Sequence, residues 1–270
     1  MVIAELCQNH NGDVTLLKEM TLSAIEAGAR AVKIQTFFAC DLTENFQFDR
    51  DRMKNLELDW QAHQEFFDIC KNAKVIPITS VYSAKYMPYL HDIGFKYVKI
   101  GSAQARDKQL ILKYISTGFS VIVSTGGNNL SDIPAIGPLA GILHCVSLYP
   151  HHWSQSNLNR LYDIRKRWPN TSFGFSDHSD PISNDWAIAS KLAMAMGSTW
   201  IERHYTMLPR DETKDGPVSI TYDQLKILCQ IDALSLHEKI KLLPPQLFFY
   251  PQTDEELNNI KNYEGRWIKD

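Results

Sequence analysis

Two lysines stand between β-branched residues, in Val32-Lys33-Ile34 and Val98-Lys99-Ile100. Side chains alternate across a strand, so each lysine points away from its apolar neighbours. If helices cover the outer face, the lysines point inward, where a buried ammonium needs a partner. Two inward ammoniums with the hydroxyls of Ser80, Ser102, Ser124 and Ser176 would make a pocket for a strongly anionic ligand, such as a phosphate with a carboxylate. Each lysine taken singly fits equally well as the partner of a carboxylate such as Glu5 or Glu202. The pair of lysines together with the hydroxyls favours the ligand. His178 and His204, 26 residues apart, end neighbouring predicted strands. Two imidazoles with open positions suit Mn²⁺, Fe²⁺, Co²⁺ or Zn²⁺ and can polarise a carbonyl. A hydrogen-bonded structural histidine, or a general base, is the alternative for each. Glu5 is the earliest strand-end carboxylate, suited to acid/base work or to holding a substrate hydroxyl, or else the counterion of Lys33. His63, His91 and His237 fall on helical stretches and are expected at the surface. His10 lies in the loop Asn9-His10-Asn11-Gly12 at the active face. His151 and His152 follow Pro150 in another loop.

These residues need strands to hold them. Short β-rich runs at 2–4, 31–35, 75–80, 97–100, 121–124, 142–145, 172–176 and 199–204 alternate with helical periodicity at 16–27, 60–72, 84–92, 108–116, 130–140, 158–167, 185–196 and 222–241. Gly28, Gly94, Gly118 and Gly197 stop helices. The fifth helical stretch is interrupted by Pro134, Gly137 and Pro138 and has little room. Eight strand–helix units imply an α/β fold, a closed (β/α)8 TIM barrel, with its chemistry at the C-terminal strand ends. Those ends carry Glu5, Lys33 and Gln35, Thr79-Ser80, Lys99 with Gly101-Ser102, Ser124-Thr125-Gly126, His144-Cys145 running on to Ser147 and Tyr149, Ser176-Asp177-His178 and Glu202-Arg203-His204. No GxGxxG follows the first strand and no GxxxxGK[ST] occurs, so a Rossmann site and a P-loop lose their support.

Composition narrows the classes further. The 270 residues are 44% hydrophobic and 22% charged, with a formal net charge of -3. There is no basic excess for a phosphate backbone, and nucleic acid is not an expected partner. No apolar run is long enough to span a bilayer, and the N-terminus has no basic leader, so a cytoplasmic protein is expected. Cys7, Cys40, Cys70, Cys145 and Cys229 are widely spaced with no CxxC, which fits reduced thiols better than disulfides or a zinc site.

The segment Ile3-Ala4-Glu5-Leu6-Cys7-Gln8-Asn9-His10-Asn11-Gly12-Asp13 resembles the opening motif of the sialic acid (N-acetylneuraminate) synthases, the NeuB-like family. The likeness continues through Val32-Lys33-Ile34-Gln35-Thr36, Lys99-Ile100-Gly101-Ser102, Ser124-Thr125-Gly126, Tyr149-Pro150, Gly174-Phe175-Ser176-Asp177-His178 and Glu202-Arg203-His204-Tyr205-Thr206. It implies a transferase that condenses phosphoenolpyruvate with the open-chain aldehyde of an N-acylated amino sugar, giving a 2-keto-3-deoxy nonulosonic acid and phosphate. By position it implies that Lys33, Ser80, Lys99, Ser102, Ser124, Ser147 and Ser176 hold phosphoenolpyruvate. Gln35, Gln104, Tyr149 and Asp215 would contact the sugar, and Glu5 would be the acid/base. His178 and His204 would hold a divalent metal, Mn²⁺ first, with Mg²⁺ or Co²⁺ as alternatives.

The departures from that pattern matter. Gly101-Ser102-Ala103-Gln104 stands where the family usually has Gly-Ser-Gly-Glu, so a carboxylate has become an amide that both donates and accepts. The barrel is expected over residues 1–243 with a tail at 244–270, and the family's C-terminal antifreeze-like (SAF) domain is expected to be missing. A homodimer, or a separately encoded partner replacing that domain, is the expected assembly. The retained Glu5, lysines and histidines favour an enzyme. Gln104 and the expected loss of the domain favour the alternative, a non-catalytic or partner-dependent member that binds phosphoenolpyruvate or sugar. A metal-dependent pyruvate aldolase on the same scaffold is a third reading, which phosphate release separates from the first.

Overall fold

Eight short strands pair in parallel in chain order: β1 (Val2–Glu5), β2 (Ala31–Thr36), β3 (Ile76–Val81), β4 (Tyr97–Ile100), β5 (Ser120–Ser124), β6 (Gly141–Cys145), β7 (Phe173–Asp177) and β8 (Trp200–His204). β8 pairs with β1 and closes the barrel in this computed structural model, which describes residues 1–244 and 253–268. Positions 245–252 and 269–270 of the expected tail lie outside the described residues.

The helices are α1 (Val14–Glu26), α2 (Arg50–Leu56), α3 (Trp60–Asn72), α4 (Met87–Ile93), α5 (Lys108–Ser116), α6 (Arg160–Arg167), α7 (Ile188–Ala195), α8 (Tyr222–Ala233), α9 (Leu236–Lys241) and α10 (Asp254–Lys261). Their starts follow from local chemistry. Asp13, Asp59 and Asp107 accept from the first free amides of α1, α3 and α5, and Thr221 makes a capping box with Gln224 on α8. The single helix expected over 222–241 is two, because Ser235 restarts the chain with its own capping box to Glu238. Between β5 and β6 the expected fifth helix shrinks to one 3-10 turn at Leu130–Asp132, ahead of Pro134.

Alternation sorts every strand into two faces. Outward-facing Val32, Ile34, Val98, Ile100, Val121, Val123, Ile142, Phe175 and Ile201 pack with Leu17, Met20, Phe66, Leu110 and Leu225 of the helices. Each such side chain contributes about 1.5–3 kcal/mol by leaving water. Inside, Ile3, Ala31, Ile78, Ile122, Leu143 and Trp200 form a closed apolar floor. Two residues further along these strands the inward positions turn polar: Glu5, Lys33, Ser80, Ser124, Cys145 and Glu202. Lys99 and Ser176 join them, because Ser80 is level with Lys99 and Ser176 with Glu202 in the strand register.

Two polar groups expected elsewhere belong to the outer layer. His63 is fully buried rather than at the surface. Its helix α3 lies on the outer face of β2 and β3, where Thr36 and Thr79 interrupt the apolar face. The Thr36 hydroxyl bonds the His63 Nε2 at 2.8 Å, and His63 Nδ1 donates to the Asp59 carbonyl at 2.8 Å. Burial pushes this imidazole down to about 4, so it stays neutral. His91 and His237 are exposed as expected. His144 points outward from β6, stacks on Phe175 and bonds the Ser156 carbonyl at 2.7 Å.

The segment after residue 252 folds back over the C-terminal mouth of the barrel. Trp267 is buried against Phe37 and Tyr82, and the Glu256 carboxylate of α10 accepts from the amides of Gly127 (3.2 Å) and Ser147 (3.3 Å).

Candidate active site

The polar ring above the floor is one bonded network. Lys33 pairs with Glu5, accepts no competition from water, and donates to Ser80 Oγ at 2.9 Å. Lys99 donates to Glu202 Oε1 at 2.5 Å, Ser176 Oγ donates to the same oxygen at 2.8 Å, and the other Glu202 oxygen lies 3.7 Å from Lys33. Burial opposes the charges of Lys33 and Glu202. For Lys33 it wins over the carboxylates and lowers the ammonium to about 7. For Glu202 it would raise the carboxyl, but the two lysines together hold it well below the usual range. The lysines point inward as expected, and each pairs with a barrel carboxylate, Lys33 with Glu5 and Lys99 with Glu202.

Beside this network β4, β5 and β6 form a hydroxyl-lined cradle around Gly126. A Cβ placed on Gly126 would sit 2.5 Å from Ser147 Oγ, 2.7 Å from Cys145 Sγ and 3.1 Å from Ser102 Oγ. Only glycine leaves that space open, and its amide donates to Ser102 Oγ at 3.0 Å. Ser124 Oγ is buried with no hydrogen-bond partner among the described residues. A cradle of hydroxyls and backbone amides beside two ammoniums is suited to phosphate oxygens.

Further toward the mouth, His178 and His204 face each other with ring centroids 5.4 Å apart, and Tyr149 stacks on His178 at 4.1 Å. His178 Nδ1 lies 2.8 Å from the Val146 carbonyl and must donate to it, which leaves the lone pair on Nε2. Burial lowers His178 to about 3 and His204 well below its ordinary value, with His178 adding to the effect on His204. Neutral imidazoles with fixed lone pairs are what a metal needs. His204 Nδ1 is buried and has no hydrogen-bond partner among the described residues. Cys7 Sγ, a His204 ring nitrogen and an Asp215 oxygen lie within 4.8 Å of one another. This donor set fits a divalent metal.

Of the expected sugar contacts, Asp215 and Gln35 both meet Cys7. Its sulfur lies within 4.8 Å of an Asp215 carboxylate oxygen, burial and that carboxylate push the thiol well above its ordinary value, and Gln35 Nε2 donates to the sulfur at 3.0 Å. Tyr149 is half exposed and opens onto a cleft of about 740 Å³ shared with Gln155, Asn258, Asn259 and Asn262. Gln104 stands apart: its Nε2 donates to the Tyr82 carbonyl at 2.8 Å, and its Oε1 is buried without a partner among the described residues. His10 is buried and accepts from the Gly12 amide at 3.0 Å, so it shapes the loop rather than the chemistry. His151 bonds Leu148 and Ser156, and His152 caps the 3-10 turn at Trp153–Ser156.

Sequence reasoning missed Cys7 and Glu256. Cys7 lies two residues past Glu5 in the opening motif, but His204 and Asp215 come from the far end of the chain, so cysteine spacing does not find it. Glu256 had no motif around it.

A closed barrel that gathers its buried polar groups at the C-terminal ends of the strands has the architecture in which barrel enzymes carry their sites. The chain belongs to the NeuB family, whose model matches residues 20–237. It is 27% identical over 253 residues to the N,N'-diacetyllegionaminic acid synthase of Campylobacter jejuni, covering 85% of this chain and 74% of that one. It is 25% identical to the N-acetylneuraminate-9-phosphate synthase of Drosophila melanogaster, covering 95% and 73%. The crystal structure of the sialic acid synthetase of Leptospira borgpetersenii, solved with citrate, superposes with a TM-score of 0.77 at 25% identity, covering 97% of this chain and 90% of that one. The family resemblance and the barrel are thus borne out, and the chain is an enzyme of the synthase kind. No helix among the described residues is long and apolar enough to cross a membrane.

Proposed function

We propose that this enzyme condenses phosphoenolpyruvate with the aldehyde of an N-acylated amino sugar, releasing phosphate and a 2-keto-3-deoxy nonulosonic acid. The observation that carries the reading is the placement of two buried lysines and a hydroxyl cradle around Gly126 at the same barrel mouth as the paired histidines. Lys33, Lys99, Ser80 and Ser176 hold the carboxylate end of phosphoenolpyruvate, and Ser102, Ser124 and Ser147 its phosphate. His178 and His204 hold the divalent metal, which when bound polarises the aldehyde. Tyr149, Gln35, Gln104 and Asp215 receive the sugar. C3 of phosphoenolpyruvate attacks the aldehyde carbon, and the aldehyde oxygen ends as a hydroxyl. Water then adds to C2; one of its protons passes through Glu5 to the former aldehyde oxygen, and the other leaves with the phosphate as the C2–O bond breaks to give the ketone. Glu5 is held for this by the Cys7 amide at 2.7 Å and by Lys33, which also stabilises charge as it develops. The hydroxyls of Ser102, Ser124 and Ser147 hold the phosphate as it leaves.

The relatives' names differ in the nonulosonic acid they make, so the N-acyl amino sugar class is the reading and the individual sugar is read from an assay. Phosphate release is measured with phosphoenolpyruvate, a divalent metal and a panel of aldoses. Release only in the presence of an acceptor supports the synthase. Phosphoenolpyruvate binding without release for any acceptor favours the binding-only or partner-dependent alternative. Cytoplasmic residence fits the supply of phosphoenolpyruvate.

A further inference from the structure

We propose that the metal of this enzyme is held by four protein donors rather than two: Cys7 Sγ, His178 Nε2, His204 and Asp215. The thiolate makes the site select Zn²⁺, Co²⁺ or Fe²⁺ over Mn²⁺ and Mg²⁺. The inference rests on the proposed histidine pair and adds two ligands and a metal class to it.

Three of the donors already lie within 4.8 Å of one another. A tetrahedral site with metal–sulfur bonds near 2.3 Å and metal–nitrogen or –oxygen bonds near 2.0–2.1 Å sets its donors roughly 3.3–3.8 Å apart. Side-chain adjustment of about an ångström closes that gap. The fourth donor, His178, sits ring to ring with His204 at 5.4 Å, and its Nε2 lone pair is fixed by the bond from Nδ1 to the Val146 carbonyl. An independent sign of a missing partner is His204 Nδ1. The residue is 6% exposed and this nitrogen has no hydrogen bond among the described residues. A buried polar atom is ordinarily satisfied, by an ion where protein atoms do not reach it.

The surroundings of Cys7 suit a metal-bound sulfur. Its backbone has φ +46, a region few non-glycine residues adopt and one that persists where the surroundings over-determine it. The Gln35 amide donates to Sγ at 3.0 Å, the bond a metal-bound thiolate accepts from a neighbouring shell of residues. The Asp215 carboxylate and the Cys7 sulfur lie within 4.8 Å of each other. When a divalent ion enters, the S–H bond breaks, its proton leaves to solvent, and a metal–sulfur bond and a metal–oxygen bond form. Thiolate with imidazole suits zinc, cobalt and iron, whereas manganese and magnesium prefer all-oxygen shells.

The test is a Co²⁺ titration of the full chain after chelator treatment, with no substrate present. The expected result is a thiolate-to-cobalt charge-transfer band in the near ultraviolet at one Co²⁺ per chain. Cys7→Ser should remove the band and weaken Co²⁺ and Zn²⁺ binding at least tenfold, while Cys40→Ser, at an exposed cysteine, keeps both. Asp215→Asn should weaken binding and keep the band. X-ray absorption of the wild-type Zn²⁺ protein should show one sulfur scatterer, which decides the matter even if Cys7→Ser fails to fold. A wild-type protein without the band, or a band that survives Cys7→Ser, overturns the proposal. Because no phosphoenolpyruvate or sugar is used, that failure is distinct from a failure of phosphate release.

Discussion

Phosphoenolpyruvate should bind this enzyme more weakly as pH rises above neutrality, and Lys33 should be the cause. Burial lowers its ammonium to about 7, with Glu202 opposing and Lys99 reinforcing the shift. In the ligand-free protein the Lys33 charge is therefore about half gone at pH 7 and nearly all gone at pH 9. A bound carboxylate or phosphate favours the ammonium and returns it toward the ordinary 10.5. Binding then takes up a proton. Affinity is full below pH 7 and falls toward tenfold per pH unit above it, about 50-fold or ~2.3 kcal/mol between pH 7 and 9. The ligand's phosphate, with its second pKa of about 6, is already doubly charged across this window and adds little slope. Calorimetry in buffers of different ionisation enthalpy reads affinity and proton uptake together, the uptake approaching one proton per ligand near pH 8.5. Lys33→Arg keeps its cation throughout and should flatten the profile. A flat wild-type profile with no proton uptake refutes the role of Lys33 as an anion ligand.

Asp177→Asn should destabilise the fold by roughly 3–5 kcal/mol, because it breaks the fully buried pair with Arg203 at 2.9 Å on the outer face of the barrel; differential scanning calorimetry reads it, with phosphoenolpyruvate affinity unchanged. Burial would raise the Asp177 carboxyl, but Arg203 holds it below the ordinary 3.8, so its stabilisation is present above that value and is lost as pH falls through the folded one; the variant should lack that acid limb. Gln104→Glu should move acceptor preference toward ordinary N-acyl hexosamines, and an unchanged aldose panel would mean that this side chain does not meet the sugar. Glu256→Gln exchanges charge-assisted bonds at Gly127 and Ser147 for neutral ones, roughly half as strong. Hydrogen exchange in 254–261 should quicken while the barrel strands keep their protection.

The strands were legible because alternation in Val-Lys-Ile declares both the faces of a strand and the side on which the helices lie. The same rule places Lys33 and Lys99 inside, and Glu5, Ser176 and Glu202 are legible as polar strand ends. His63 was misplaced for a related reason. Its helix carries apolar residues that explain the packing without it, and the Thr36–Thr79 pair that accepts it sits on strands whose outer face otherwise reads as apolar. Cys7 was invisible as a ligand because its partners are brought to it by barrel closure, through the pairing of Glu5 with His204, and no linear spacing encodes that. The docking of residues 253–268 was equally hidden. A single carboxylate meeting two loop amides leaves no periodic trace.

The ring of charges at the barrel centre explains how such a pocket folds and why anion and metal should bind together. Burying Lys33 or Lys99 alone would leave an unpaired ammonium in the interior. Glu5 and Glu202 remove that cost, and the four groups together carry no net charge when all are ionised. An incoming phosphate with a carboxylate therefore meets a centre that is neutral below pH 7 and negative above it as Lys33 loses its proton, and Glu202, fixed by Lys99 and Ser176, stays in place and repels it. A divalent cation bound at Cys7, His178, His204 and Asp215 would balance the thiolate and the carboxylate, and so remove the one negative charge that Asp215 otherwise holds at the mouth of the same barrel. Each ligand should then tighten the other, and by linkage by the same factor. Measuring Co²⁺ affinity with and without phosphoenolpyruvate, and phosphoenolpyruvate affinity with and without Co²⁺, checks this directly. Equal and large factors are expected; a phosphoenolpyruvate affinity indifferent to the metal would show that the ring balances the anion unaided.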